Sequence, residues 1–304
     1  MRVLVVANYQ HGFYAPFIIE QVNALIEEGV EIDYFPVIAK GIKGYLKLRE
    51  PLIRKISEYQ PDIIHAHYGL SCLLANLQRK VPVVSTYHGS DINKSKNRLI
   101  SKFAMLLSAH NIFVSEKNIQ LAKPKKNYSL IPCGVDRRLF YKQDREVCRN
   151  YFNFNNNKKY ILFSKGFHVK VKNYPLAKKA VDSIVNAELV ELKGYSREEV
   201  AMLMNACDVA LMTSFSEGSP QFIKEAIACG CPIVSTDVGD VKEIAEKCNS
   251  IFVTSYKIDD VIDKVYRAIL MSRDDRYMLD EKFDNKLIAL KIKNIYNKIL
   301  SNNV

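Results

Sequence analysis

Between residues 2 and 131, short apolar runs rich in β-branched residues (RVLVVA, EIDYFPV, DIIHAHY, VPVVSTY, NIFVS and YSLIP) are separated by stretches of helical period such as APFIIEQVNALIEEG. Such runs read as strands, and their alternation with helices implies a parallel sheet covered by those helices. Residues 152–160, FNFNNNKKY, are polar, Asn-rich and aperiodic, which marks a linker. The alternation then restarts with YILFS, ELVELKG, DVALMTS, CPIVSTD and SIFVT, interleaved with helices near 174–186, 197–206, 220–229 and 258–272. Two Rossmann-like α/β domains are expected, 1–152 and 153–280. A closing segment, 281–304, holds an amphipathic helix with Leu287, Leu290, Ile292, Ile295 and Ile299 at near-helical spacing.

In open α/β sheets ligands gather beyond the carboxyl ends of the strands. In the first half those loops contain Gly12 in NYQHGFY, and His88 and Asp91 in HGSD; in the second they contain Lys165, Lys170 and Lys172 in KGFHVKVKNY, and the stretch SFSEGSP. Two such faces opposed across a cleft would form one site. Helices starting near Tyr174-Pro175 and at Pro220 offer free N–H groups and a positive dipole end, so with Lys172 they would seat a diphosphate. The alternative for Lys172 is an ordinary lysine near a helix start.

Residues 214–230, SFSEGSPQFIKEAIACG, set two glutamates around a Ser-Pro pair. A helix from Pro220, with Ser219 as N-cap and Gly230 past its end, puts Phe222, Ile223, Ala226 and Ile227 on an apolar face. Gln221, Lys224 and Glu225 fall on the other. The carboxyls of Glu217 and Glu225 are then roughly 10 Å apart, from about 1.5 Å of rise per helical residue, too far to share a proton. They belong either to a solvated surface helix or to two contacts on one ligand, Glu225 toward paired ribose hydroxyls and Glu217 toward a sugar. His88 is either a structural hydrogen-bonder or a group of the site, and Asp91 would cap the helix that follows it. His65 and His67 alternate along a strand, so both face one way, as core residues. His168 fits either role.

Composition narrows the class. Apolar residues at 48% and charged residues at 25% describe an ordinary globular protein. Seven cysteines without a C-x-x-C argue against a disulfide framework or structural zinc, and predict reduced core residues. The opening MRVLVVANY is too short an apolar run for a signal peptide, and no stretch reaches spanning length, so a cytoplasmic protein is expected. The net charge of +11 is uneven: residues 1–150 hold 22 basic and 13 acidic side chains, residues 151–304 hold 22 and 20. The first half therefore meets something anionic or is merely well solvated. Nucleic acid is not the expected partner, because no stacking-aromatic motif accompanies the charge.

SFSEGSPQFIKEA resembles the E-x7-E signature of retaining GT-B glycosyltransferases, family 4 type. PDIIHAHYG, STYHGSD, LIPCGVDRRLF, VKNYPLAKKA and ACGCPIVSTDVGDVKEI resemble the same family in its usual order, across nearly the whole chain. The resemblance implies a GT-B fold, an acceptor-binding first domain, a second domain holding a UDP- or GDP-linked sugar, and a helix at 286–300 crossing back to the first. It assigns Glu225 to the nucleotide ribose, Glu217 to the donor sugar, and Gly218, Ser219 and Pro220 to backbone contacts beside them. Lys172 goes to the diphosphate, His88 near the sugar or its anomeric centre, and Gly12 near the diphosphate and acceptor. His88, Glu217 and Lys172 are thus the catalytic candidates. Hexosyl transfer with retention and without a metal or other cofactor is implied, by front-face displacement in cell-surface polysaccharide assembly.

Three departures stand out. The Arg usual ahead of the diphosphate lysine is missing, so either Lys165 or Lys170 substitutes or the contact is absent. The first loop carries Gly12 where many members carry a glycine pair, and the chain is short for the family. Rival readings are a two-lobed binding protein, or a GT-B phosphorylase or epimerase. Finally, residues 92–110, INKSKNRLISKFAMLLSAH, place Lys94, Lys96, Arg98 and Lys102 among Leu99, Ile100, Phe103, Leu106 and Leu107. This is either a helix resting on an anionic membrane, as a peripheral protein of the inner face reaching a saccharide or lipid-linked acceptor would use, or a crossover helix packing Leu99, Phe103 and Leu106 on the sheet.

Overall fold

A computed structural model describes residues 1–10, 12–39, 41–273 and 279–302. The chain divides into two compact units: Met1–Gly134 with Lys282–Val304, and Val135–Glu281.

The first unit holds strands β1 (Arg2–Asn8), β2 (Glu31–Val37), β3 (Ile63–His67), β4 (Val83–Tyr87), β5 (His110–Phe113) and β6 (Tyr128–Leu130). Its helices are α1 (Pro16–Glu27), α2 (Gly41–Lys47), α3 (Arg49–Tyr59), α4 (Gly69–Asn76), α5 (Ser90–Asn93), α6 (Ser95–Leu107) and α7 (Glu116–Ala122). The sheet is parallel with order β2-β1-β3-β4-β5-β6. β1 is buried on both faces from Val3 to Ala7, which is why its sequence is an unbroken apolar run. Strand order reverses between β1 and β3, so their carboxyl ends diverge into a crevice.

The second unit holds β7 (Lys159–Phe163), β8 (Ala187–Glu191), β9 (Val209–Met212), β10 (Ile233–Thr236) and β11 (Ile251–Thr254), in the parallel order β11-β10-β9-β7-β8. Its helices are α8 (Arg145–Tyr151), α9 (Tyr174–Asp182), α10 (Arg197–Ala206), α11 (Gln221–Ala228), α12 (Val241–Ala245) and α13 (Ile258–Ile269). Here the order reverses between β7 and β9, whose following loops carry the lysines and the first glutamate of the sequence reading. The last helix, α14 (Asn285–Ser301), belongs to the first unit, packing Ile288, Ala289, Ile292, Ile295 and Tyr296 against Val3, Leu25, Val84 and Ile112.

Every strand of the sequence reading is present, but several local expectations change. The polar stretch 152–160 is ordered inside the second unit: Phe154 and Tyr160 stack at 3.8 Å, and buried Arg149 donates to the carbonyls of Asn155 and Lys158. Asparagine turns and an aromatic pair imitate a linker's composition without its freedom. The units divide at Gly134, whereas the sequence reading divided the chain after residue 152. On α14 the packed stripe is rotated from the expected one, leaving Leu287 39% exposed. All seven cysteines are buried, and none is joined in a disulfide.

On α6 the expectation of a helix packing Leu99, Phe103 and Leu106 on the sheet fails. These residues are 60%, 56% and 73% exposed, and Ser101 and Ala104 face inward. The small residues are the ones that fit, since α4 packs closely against α6 and Ser101 donates to the Asp91 carbonyl. Arg98 is not a free surface charge, as its guanidinium donates to the Ile92 carbonyl. No helix among the described residues is long and apolar enough to cross a membrane.

Candidate functional site

β9 ends in a loop tied down on three sides. The Thr213 hydroxyl donates to the carbonyls of Lys172 and Asn173, Phe215 N–H donates to the Val171 carbonyl, and the Thr236 hydroxyl donates to the Ser214 carbonyl. The loop after β7 is thereby joined to the loop after β9, and their side chains converge. Lys172, the last residue of a 3-10 turn before α9, pairs with Glu217 at 2.5 Å, with side chains 14% and 16% exposed. Lys170, in the same turn, is exposed.

Of the two readings of Glu225, the solvated surface helix does not hold. α11 starts at Gln221 with Pro220 as its N-cap, one residue later than expected, and Ser219 does not cap it. Glu225 is 4% exposed rather than solvated, and its Oε1 accepts from Arg197 Nη2 at 2.5 Å. Arg197 opens α10, where Ser196 and Glu199 form a reciprocal capping box, and its guanidinium sits over the Phe140 ring, 4.6 Å from the centroid. α10 thus brings a guanidinium to Glu225, while the loop that holds Lys172 carries none. Sequence reasoning missed Arg197; the capping pattern S-R-E-E marked the helix start but not the direction of its first side chain. Lys165 completes the group. Although solvent reaches its side chain, its amine is held below the ordinary lysine value, first by desolvation and then by the Lys172 and Arg197 cations, with Glu225 and Glu217 opposing.

Lys224 is fully buried, a second correction to the expected polar face. Its Nζ donates to the Ser219 hydroxyl at 2.6 Å, and that hydroxyl donates to Asp240 Oδ2 at 2.5 Å. Gly239, beside Asp240, adopts φ +63°, and a Cβ there would stand 2.7 Å from the Gly218 carbonyl oxygen. Gly218, Ser219 and Pro220 are therefore clamped between α11 and the turn after β10. Lys165, Lys172, Arg197, Glu217 and Glu225 with the 218–220 backbone form one patch over the carboxyl ends of β7 and β9. Their mixed charges suit a ligand carrying both an anionic group and hydroxyls.

Gly12 and His88 belong to the first unit, at the carboxyl ends of β1 and β4. Gly12, at φ +86°, turns the chain back so that Gln10 and Phe13 exchange backbone hydrogen bonds. His88 is partly buried between Phe17 and Tyr68, with Nε2 3.0 Å from His67 Nδ1 and Nδ1 3.6 Å from Cys133 Sγ. Asp91 is not the N-cap of α5. From inside the helix it reaches back to accept the N–H groups of His88, Gly89 and Gly69, linking the turns after β3 and β4. Burial raises its carboxyl to about 6. His65 and His67 are wholly buried and His168 is exposed. Among the described residues no group of three His, Cys, Asp or Glu is placed to hold a metal.

A pocket of about 320 Å³ lies in the first unit over the β1/β3 reversal, lined by Asn8, Tyr45, Tyr68, Asp91, Asn97 and Ile100 among others. Tyr68 adopts φ +71°, ψ 143°, a conformation that costs a non-glycine residue about 1–3 kcal/mol and that persists mainly at functional sites.

Two family models match the chain: Glycosyltransferase Family 4 over residues 4–139 and Glycosyl transferases group 1 over residues 161–270. An uncharacterized glycosyltransferase of Methanocaldococcus jannaschii is 29% identical over 236 residues, 68% of this chain and 65% of that protein. The chain therefore spans about two thirds of that relative. Sucrose-phosphate synthase from Thermosynechococcus elongatus superposes with a TM-score of 0.82 at 17% identity, covering 99% of each chain. The Anabaena protein HepE, solved with UDP and glucose, superposes with a TM-score of 0.70 at 16% identity, again over 99% of each. With both halves matched by its models and both sheets in its topology, the chain belongs to glycosyltransferase family 4 and has the GT-B fold.

Proposed function

We propose that the chain is a retaining hexosyltransferase that moves a sugar from a UDP- or GDP-linked donor to a saccharide or lipid-linked saccharide in cell-surface polysaccharide synthesis. The observation that carries this reading is the convergence of Lys165, Lys172, Arg197, Glu217 and Glu225 over β7 and β9. In it Lys172, with Lys165 beside it and the starts of α9 and α11, receives the donor diphosphate. Glu225, aimed by Arg197, accepts from ribose hydroxyls, and Glu217 accepts from the sugar. As the glycosidic bond breaks, charge builds on the leaving diphosphate, where preplaced cations lower the barrier most. A diphosphate oxygen then takes the acceptor proton on the same face, which gives retention without a carboxylate nucleophile. Cations of the chain supply this charge, so no metal or other cofactor is required. HepE, solved with UDP and glucose, supports the donor class.

For the acceptor, the pocket of the first unit supports a neutral polyol. Among the described residues, amide, hydroxyl and carboxylate groups line it with tyrosine rings and no Lys or Arg does, although this half of the chain is strongly basic. Beside it, Leu99, Phe103 and Leu106 project from α6 among exposed Lys94, Lys96 and Lys102, which favours docking on an anionic inner membrane surface. A GT-B phosphorylase or epimerase is the competing reading, separated by whether turnover requires an acceptor. The test is release of nucleoside diphosphate from sugar nucleotides, with and without candidate acceptors and with EDTA. Acceptor-dependent release that survives EDTA is expected; release restored only by Mn²⁺ or Mg²⁺ would refute metal-free transfer.

A further inference from the structure

Three imidazoles stand in a row under the carboxyl ends of β3 and β4. His65 and His67 have ring centroids 4.4 Å apart, and His88 follows at 5.3 Å from His67. Both nitrogens of His65 are engaged, Nδ1 with the Tyr296 hydroxyl at 2.5 Å and Nε2 with the Thr86 hydroxyl at 2.7 Å. His67 differs. Its Nδ1 faces His88 Nε2 at 3.0 Å, while its Nε2 is buried without a hydrogen-bond partner.

A neutral imidazole carries one proton, so the pair has two arrangements. If His88 Nε2 donates, His67 must carry its own proton on Nε2, an N–H sealed away from any acceptor. If His67 Nδ1 donates, only a lone pair is left unmatched. Orphaned buried N–H groups are the rarer of the two, which favours the second arrangement. Double protonation of His67 is disfavoured because burial pushes its pKa down to about 3. Among the described residues, the titratable groups facing the pair include His65, Tyr68 and Cys133, together with Asp91, whose carboxylate takes the backbone N–H of His88 rather than a ring proton.

We propose that His67 is a positioning residue for His88: its Nδ1–H occupies His88 Nε2 and holds that ring as the neutral Nδ1–H tautomer, with the proton toward Cys133. His88 then meets a substrate as an uncharged ring and is not a base through Nε2, which leaves acceptor deprotonation to the departing phosphate. The consequence for transfer rests on the function proposed above; the tautomer itself does not.

The experiment is ¹⁵N spectroscopy of the imidazoles in the histidine-labelled full chain, roughly pH 5.5 to 8.5, the span in which an ordinary histidine titrates. His67 and His88 should both show a protonated Nδ1 and a bare Nε2 across the range. His67→Phe, which removes the donor, should let His88 titrate near an ordinary value of about 6.5. His67→Asn, which returns an N–H at the Nδ1 position, should restore the pattern of the unaltered protein. A proton on Nε2 of either ring, or titration of His88 in the unaltered protein, overturns the proposal, and that spectrum decides even if His67→Phe does not fold. Spectra as expected in a protein with no transfer activity would instead overturn the functional reading.

Discussion

At the scale of single residues, the site is a set of charges that complete one another. Glu225 is buried because Arg197 meets it, and Glu217 is held where Lys172 can reach it. Glu225→Gln should weaken donor binding, and Glu217→Ala should lower turnover as well, each by about 1–4 kcal/mol, the range for losing a charged hydrogen bond or a preorganised group. Arg197→Met should reproduce the Glu225 defect, and the double variant should cost less than the two singles combined, because the pair acts as a unit. Donor titration of the four proteins checks this, and full additivity would show that Arg197 does not act through Glu225. The E-x7-E pair was legible as spacing. Arg197 was not, since it lies 28 residues before Glu225 and meets it only through packing of α10 on α11.

At the scale of elements, α11 shows where an amphipathic pattern misleads. Lys224 and Glu225 were expected on the polar face, with a solvated helix as one alternative, but Arg197 on one side and the Ser219–Asp240 pair on the other supply partners that let both be buried. Periodicity reports which positions are polar, not whether partners wait for them. Gly239→Ala should disturb the 218–220 loop through both its positive φ and the Gly218 carbonyl, costing more than 1 kcal/mol of stability along with donor affinity. Thermal melts with and without nucleotide would show it, and a silent substitution would mean the clamp does not matter. On α6, replacing Leu99, Phe103 and Leu106 with Ser should change stability by no more than about 0.5 kcal/mol per substitution, since the side chains are exposed, yet abolish sedimentation with anionic vesicles. Replacing Lys94, Lys96 and Lys102 together should remove about 3 kcal/mol of membrane attraction, at about 1 kcal/mol per basic residue. Equal binding to neutral vesicles, or none to anionic ones at low salt, would contradict this docking mode.

At the scale of the whole molecule, two parallel sheets each reverse strand order once, and each reversal carries a patch of unusual side chains. This much was readable because βαβ alternation leaves few topologies open and places ligand-binding loops at carboxyl ends. The unit boundary was harder to read, because FNFNNNKKY has a linker's composition while its contacts are those of a packed turn. The central claim is that the second unit holds a sugar nucleotide through the Lys172–Glu217–Glu225 patch. Its most direct test is release of nucleoside diphosphate, in EDTA, from a panel of UDP- and GDP-linked sugars, by the unaltered chain and by Lys172→Ala in parallel. The account predicts turnover of at least one sugar nucleotide, indifferent to the chelator and reduced at least tenfold by the substitution, for a loss of about 1.4 kcal/mol or more of transition-state stabilisation. Turnover by Lys172→Ala equal to that of the unaltered chain would contradict it.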